Sequence, residues 1–197
     1  MRVTHFIAVI YQRRVREYTT YKGSTGHSVL AVSPARPQTT DMPVAVVTGS
    51  NKGIGLAIVR SLCQKYEGDV YLTSRDEGRG LAALEILRRE GLEPKYHQLD
   101  ICQEESVIKL RDFITEKYGG IDILVNNVGI AFMDYDTYGF ATQVKMTLET
   151  NYWATKTASN ILFPVLKPGA RVVNMSSALG FLGKLVEVNI VPNLHNT

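Results

Sequence analysis

From Val44 onward, short uncharged apolar runs alternate with stretches whose apolar residues return every three to four positions. Val44-Ala45-Val46-Val47 is apolar without a break, as in a strand covered on both faces. A glycine-rich loop follows, then Ile58, Val59 and Leu62 at helical spacing. Val70-Tyr71-Leu72-Thr73 reads as a second strand, and Leu81, Leu84 and Leu87 mark a second helix. Tyr96 to Leu99 reads as a third strand. Val107, Leu110 and Ile114 mark a third helix, which Gly119-Gly120 stops. Ile121 to Val125 forms a fourth strand with Asp122 as its one polar residue. A long helix is expected over about residues 141–163, ending before Pro164, and a fifth strand over Arg171 to Met175.

Strands alternating with helices of this length predict an α/β protein with a parallel sheet covered on both faces. Right-handed crossovers favour a doubly wound sheet of Rossmann type, with strand order 3-2-1-4-5.

Residues 1–43 differ from the rest. They carry six Lys/Arg against Glu17 and Asp41, whereas residues 44–197 carry sixteen basic and seventeen acidic side chains. The formal charge of +3 therefore resides in the leader. The body has no positive field of the kind nucleic-acid binding needs. Phe6 to Tyr11 is a short apolar patch, read as a strand or a weak helix, and residues 23–43 with Gly23, Gly26, Pro34, Pro37 and Pro43 read as linker. The leader is read as a disordered extension, an upstream stretch wrongly included, or a mitochondrial presequence, whose Arg- and Ser-rich, acid-poor composition it shares. Met42 is a plausible start of its own. The organisation expected is a leader over residues 1–43, a nucleotide-binding domain over 44–178 and a divergent tail over 179–197.

Composition narrows the classes further. No run of 18 uncharged apolar residues occurs, so no transmembrane helix and no membrane partner is expected. Two cysteines, Cys63 and Cys102, fit a reducing compartment, and the expected location is cytoplasmic, or mitochondrial if the leader is a presequence. The four histidines lack zinc-site spacing, and no metal is expected.

The chemistry concentrates in Thr48-Gly49-Ser50-Asn51-Lys52-Gly53-Ile54-Gly55, between the first strand and the first helix. Glycines there permit a tight turn and close approach of a pyrophosphate, which the helix N-terminus then receives on free N–H groups. The second strand ends Thr73-Ser74-Arg75-Asp76. An acid at that point would hold a ribose 2′-hydroxyl, whereas a guanidinium pairs with a 2′-phosphate. Arg75, with Lys52 as a second cation, favours NADP, although Asp76 keeps an acid beside it.

These stretches, with Leu99-Asp100-Ile101, Asn126-Asn127-Val128-Gly129, Asn151 and Asn174-Met175-Ser176-Ser177, resemble the short-chain dehydrogenase/reductases, most closely the monomeric NADPH-dependent carbonyl reductases. The resemblance covers about Val44 to Ser177. It implies reduction of ketones, aldehydes or quinones by hydride transfer, with a small carbonyl compound as partner. It implies a cofactor site of Gly49, Asn51, Lys52, Gly53, Ile54, Gly55 and Arg75, with Asp100 and Ile101 flanking the adenine and Asn127 supporting cofactor and strands. It further implies that Ser177 hydrogen-bonds the substrate carbonyl and that Asn151 helps hold a water in a proton relay. Val128 stands where the family usually has Ala, a bulkier side chain expected to tighten the pocket.

One departure matters. The family's Tyr-x-x-x-Lys pair lies downstream of its serine, and residues 178–197 contain no Tyr and only Lys184. Tyr18…Lys22 and Tyr152…Lys156 share the spacing, but both precede Ser177 and are read as chance. A truncated product that binds NADPH or a partner without turnover is the alternative. In that fold the fifth strand would be an exposed apolar edge and the long helix would lack a packing partner, so weak stability or a need for a partner is expected.

Overall fold

The computed structural model describes residues 6–11, 42–132 and 137–177. The Tyr18…Lys22 pair, the linker reading, Lys184 and the divergent tail lie outside the described residues.

Six strands form one sheet in the order β1-β6-β5-β2-β3-β4. β2 (Val44–Val47) is at the centre, β3 (Asp69–Ser74) and β4 (Lys95–Gln98) on one side, and β5 (Ile121–Asn126) and β6 (Leu166–Ser177) on the other. These five run parallel, which is the expected 3-2-1-4-5 arrangement. The sixth strand, β1 (Phe6–Tyr11), comes from the leader and pairs antiparallel with Val172–Ser177 of β6. The apolar patch is thus a strand, and the edge of β6 expected to lie bare is paired along those residues. β6 is also longer than the sequence suggested. Ile121 pairs with Leu166 and Ile123 with Arg171, and the intervening residues, with Pro168 and Gly169, loop out.

The alternation inside β2 divides the core. Val44 and Val46 face a cluster with Tyr71, Leu110, Ile114, Leu124 and Leu162, under α3 (Glu104–Tyr118) and α5 (Thr155–Leu162). Ala45 and Val47 face a second cluster with Val59, Leu72, Ala83 and Leu87, under α1 (Gly53–Lys65) and α2 (Glu77–Arg89). All four β2 residues are fully buried, which is why the run contains no polar residue. Of the three leucines that marked α2, Leu84 and Leu87 are buried, whereas Leu81 is 46% exposed.

The long helix is not uniform. α4 (Phe140–Thr147) passes into a π-helical turn over Leu148–Ala154, then into α5 and a short 3₁₀ turn over Phe163–Val165 containing Pro164. Phe140, Val144, Leu148, Tyr152 and Trp153 on this run are exposed among the described residues.

Asp122 ties the amino-terminal edge of the sheet together. Its Oδ2 accepts from Val44 N at 2.8 Å and from Lys167 Nζ at 2.9 Å. One carboxylate thereby joins the starts of β2, β5 and β6.

His97 on β4 rests against Phe113, with ring centroids 5.0 Å apart. Burial pulls its pKa below the ordinary 6.5, and the contact of Nδ1 with Gln98 O opposes this only in part. The unfolded chain then binds more protons than the folded one below pH 6.5, so stability rises with pH through that window. Urea midpoints are expected to fall as the pH drops from 7 to 5, and His97→Gln is expected to flatten the slope. An unchanged slope in that variant would refute the assignment.

Candidate functional site

The carboxyl ends of β2, β3, β5 and β6 gather the chemistry-bearing residues, as expected for ligand sites of open α/β sheets. The glycine loop is fixed to both neighbours of β2. Thr48 N donates to Val125 O at 2.9 Å, and Ser50 N donates to Thr73 O at 2.8 Å. Ser50 Oγ donates to Val47 O and accepts from Thr73 N, while Thr73 Oγ1 donates to Val47 O. Asn127 locks the other side: its Nδ2 donates to Thr48 O at 3.0 Å and to Gly49 O at 2.9 Å, and its backbone N donates to Thr48 Oγ1. Asn127 thus clamps the glycine loop to the end of β5.

The three glycines do different work. Gly49 (φ +60°) and Gly53 (φ +57°) hold the left-handed backbone that favours glycine. A Cβ on Gly53 would meet nothing within 4 Å, so the backbone there faces open space. Gly55 is instead buried, and a Cβ would lie 2.5 Å from Asn127 Nδ2 and 2.7 Å from Gly49 O. The bulk of Val128 falls over Gly49, where a Cβ would lie 2.7 Å from Val128 Cγ2.

The start of α1 is left available to an anion. It has no side-chain cap and no acid in its first turn. By contrast, α2 is capped by Asp76 and opens on Glu77, and α3 opens on Glu104 and Glu105. Unpaired N–H groups and the positive dipole end therefore face the opening beside Gly53. Asn51 lies half-buried in the same turn, and Ile54 is 38% exposed beside it.

A helix cap occupies the carboxylate beside Arg75. Asp76 Oδ1 accepts from Arg79 N at 2.8 Å, so this carboxylate serves α2. Arg75 is exposed, and neither it nor Lys52 enters an ion pair among the described residues. Gln98 Nε2 donates to Arg75 O and Leu99 N to Ser74 O, which draws the β4 end alongside. There Asp100 Oδ1 accepts from Cys102 N at 3.0 Å, and Asp100 N donates to Ser106 Oγ. Ile101 is 5% exposed and packs into the core. Burial raises the Cys102 thiol, Asp100 adds to that rise and Arg75 opposes it, so all three share one neighbourhood.

Asn151 sits inside the π turn. Its Oδ1 accepts from Ile130 N and its Nδ2 donates to Ile130 O, both at 2.8 Å, clamping the segment after β5. π turns of this kind cluster at functional sites. Ser177 is the half-buried last residue of β6, opposite Phe6 of β1; it ends the strand where the sequence placed it beyond. Tyr152 and Lys156 share one exposed surface, but Lys156 Nζ lies 5.9 Å from the Tyr152 ring centroid and 5.3 Å from that of Trp153, resting over rings.

Two partners escaped the sequence reading. Asn126 Nδ2 donates to Asn174 Oδ1 at 2.8 Å and to Ser159 Oγ at 3.4 Å, joining β5, β6 and α5 beneath the site. These residues are 33 to 48 positions apart, and only their place at the carboxyl edge hinted at a shared network. Among the described residues no group of three or more His, Cys, Asp or Glu is placed to hold a metal, and no helix is long and apolar enough to cross a membrane.

The open glycine turn, the acid-free helix start and two cations without an ion pair among the described residues fit a dinucleotide bearing a further phosphate. Comparison with known proteins points the same way. The family model described as short chain dehydrogenase matches residues 43–189. The chain is similar to carbonyl reductase [NADPH] 1 of Rattus norvegicus, 52% identical over 140 residues, which are 71% of this chain and 50% of the relative. It is 54% identical over 137 residues to carbonyl reductase [NADPH] 3 of the same species, covering 70% of this chain and 50% of the relative. Menthone neomenthol reductase from Mentha piperita has a similar structure, with a TM-score of 0.60 and 32% identity over 68% of this chain and 60% of that one. The chain spans about half the length of the curated relatives it matches. With the model match over most of its length, the chain belongs to the short-chain dehydrogenase family.

Proposed function

We propose that residues 44–177 form the NADPH-binding half of a carbonyl reductase acting on ketones, aldehydes or quinones. The observation that carries this reading is the division of labour at the end of β3, where Asp76 is consumed as a helix cap while Arg75 beside it enters no ion pair among the described residues. The names of the similar carbonyl reductases support it. In this reading Gly49, Asn51, Gly53, Ile54 and Gly55 shape the pyrophosphate turn, and Lys52 and Arg75 hold the 2′-phosphate. Asp100 and Ile101 border the adenine, the latter through the little surface its packing leaves. When bound, the cofactor supplies a hydride. Asn127 keeps the loop at its height, and Asn151 fixes the segment at Ile130 that leads from β5. Ser177 is assigned to orient a carbonyl oxygen through its hydroxyl, and Asn151 to hold a water near it through the carbonyls of the π turn.

The second reading is binding of NADPH without turnover, favoured by Tyr152 and Lys156, the one Tyr-x-x-x-Lys spacing among the described residues, whose Lys rests over aromatic rings. Fluorescence titration tests the cofactor binding that both readings share. Wild-type chain is expected to bind NADPH at least tenfold more tightly than NADH. Arg75→Glu is expected to weaken NADPH by 30-fold or more, on the order of the roughly 2 kcal/mol that a charge-assisted phosphate contact contributes, and to leave NADH almost unchanged. Equal affinity of the wild type for both cofactors would overturn the NADP assignment. Quinone-dependent NADPH oxidation that is lost in Ser177→Ala distinguishes the reductase from the binder.

A further inference from the structure

β6 outruns its parallel neighbour. The last pair between the two is Asn126 with Asn174, where β5 ends. The side chains of the same two residues meet there, Asn126 Nδ2 donating to Asn174 Oδ1 at 2.8 Å. β6 continues beyond that point through Met175, Ser176 and Ser177. Among the described strands these three pair with β1: Met175 with Ala8, Ser176 with Ile7 and Ser177 with Phe6. Met175 is still rooted, since its side chain packs against the cluster under α1 and α2. Beyond it Ser176 is exposed and Ser177 half-buried. A strand end that overhangs its sheet frays unless a second strand holds it.

The glycine turn is held by different bonds. Thr48 N donates to Val125 O and Ser50 N to Thr73 O, and Asn127 Nδ2 donates to Thr48 O and Gly49 O. These bonds run through β2, β3 and the end of β5. β1 lies on the far side of β6 from all of them.

We infer that the leader strand β1 is a positioning element of the site: its pairing with Met175–Ser177 holds the Ser177 hydroxyl in place at the carboxyl edge of the sheet. The inference rests on the role proposed above for Ser177, orienting a carbonyl oxygen. It brings into the site a segment that the motif series from Thr48 to Ser177 does not contain. Phe6, Ile7 and Ala8 act through their backbone. Misplacing a reacting group by about 1 Å can cost on the order of a hundredfold in rate. A loosened end of β6 is therefore a kinetic defect before it is a defect of the fold.

The full-length chain carries the test. Successive N–H groups along a strand point to opposite edges, so of Ile7 and Ala8 one faces β6 and the other faces away. Ile7→Pro and Ala8→Pro each delete one of these groups. The variant that loses the inward N–H is expected to lower kcat for quinone reduction by roughly tenfold or more, with KM for NADPH and NADPH affinity unchanged. The other substitution, of a kind that edge strands tolerate, is expected to match the wild type. Amide hydrogen exchange reads the same event without turnover. In the inward variant, exchange within Met175–Ser177 is expected to be roughly tenfold faster, while Thr48 and Ser50 exchange as before. Unchanged kcat and exchange in both variants would overturn the proposal. So would NADPH affinity that falls in step with kcat, which would make β1 a support of the whole fold. A wild-type chain without quinone turnover removes the reductase reading instead. Faster exchange confined to Met175–Ser177 then still upholds positioning by β1, and unaltered exchange overturns it.

Discussion

Gly55→Ala is expected to damage both stability and cofactor binding severely. The added Cβ would lie 2.5 Å from Asn127 Nδ2, 2.7 Å from Gly49 O and 2.7 Å from Ser50 Cα. Two of these three atoms are backbone, pinned by the bonds of Ser50 to β3 and of Asn127 to the loop, so neither can rotate away. Relief requires α1 to move off the loop or the Asn127 amide to release Thr48 O and Gly49 O. Overpacking and the loss of the amide clamp together are expected to cost about 3 kcal/mol. Urea denaturation of the variant measures this directly. The same movement widens the glycine turn, so NADPH affinity is expected to fall even at temperatures where the variant is fully folded. A midpoint within error of the wild type would show that the helix is less firmly seated than these distances require. Gly53→Ala is the contrasting case. It meets no atom within 4 Å and carries only the penalty of a left-handed backbone, roughly 1 kcal/mol.

Asp122→Ala is expected to follow closely. The change removes the acceptor for Val44 N, a backbone group on a fully buried residue, and leaves Lys167 Nζ without its carboxylate. An unsatisfied buried N–H costs about 1–3 kcal/mol, and breaking a partly buried ion pair adds to it. A total of about 3 kcal/mol is expected from chemical denaturation. Asp122→Asn retains one oxygen for Val44 N and forfeits the charge, so about 1 kcal/mol is expected there. A loss of equal size in both variants would locate the effect in the Lys167 pair and remove the backbone bond from the account.

Much of this architecture was legible because a parallel sheet leaves little freedom at its centre. β2 is buried on both faces, so its four residues had to be apolar, and their run announced it. Asp122 was legible as an exception and is explained by the two donors it serves. The glycine loop was legible because each glycine answers a local steric demand. What was not legible depends on partners far along the chain. Asn126 finds Asn174 forty-eight residues away, and nothing in either neighbourhood signals the pairing. The π turn over Leu148–Ala154 escaped because its residues keep a helical pattern, and one extra residue in a turn leaves no mark on periodicity. Leu81 fitted the spacing of the α2 core, yet it is almost half exposed at the surface of the helix. Asp76 was read as a competitor of Arg75 because capping and ribose binding ask for the same residue type at the same place.

The pairing of β1 with β6 fixes an order of events during synthesis. Phe6 lies opposite Ser177, so the first strand to leave the ribosome must wait for nearly the whole of the described chain before its partner exists. At about 5–20 residues per second, that interval is roughly 10–30 s. Each βαβ unit from β2 to β6 closes on a neighbour made moments earlier, whereas Phe-Ile-Ala-Val-Ile-Tyr spends the same period as an apolar strand without a sheet. Among the described strands its docking therefore follows the pairing of β2 to β5, and the six residues stay without a strand partner until Val172–Ser177 of β6 has been made.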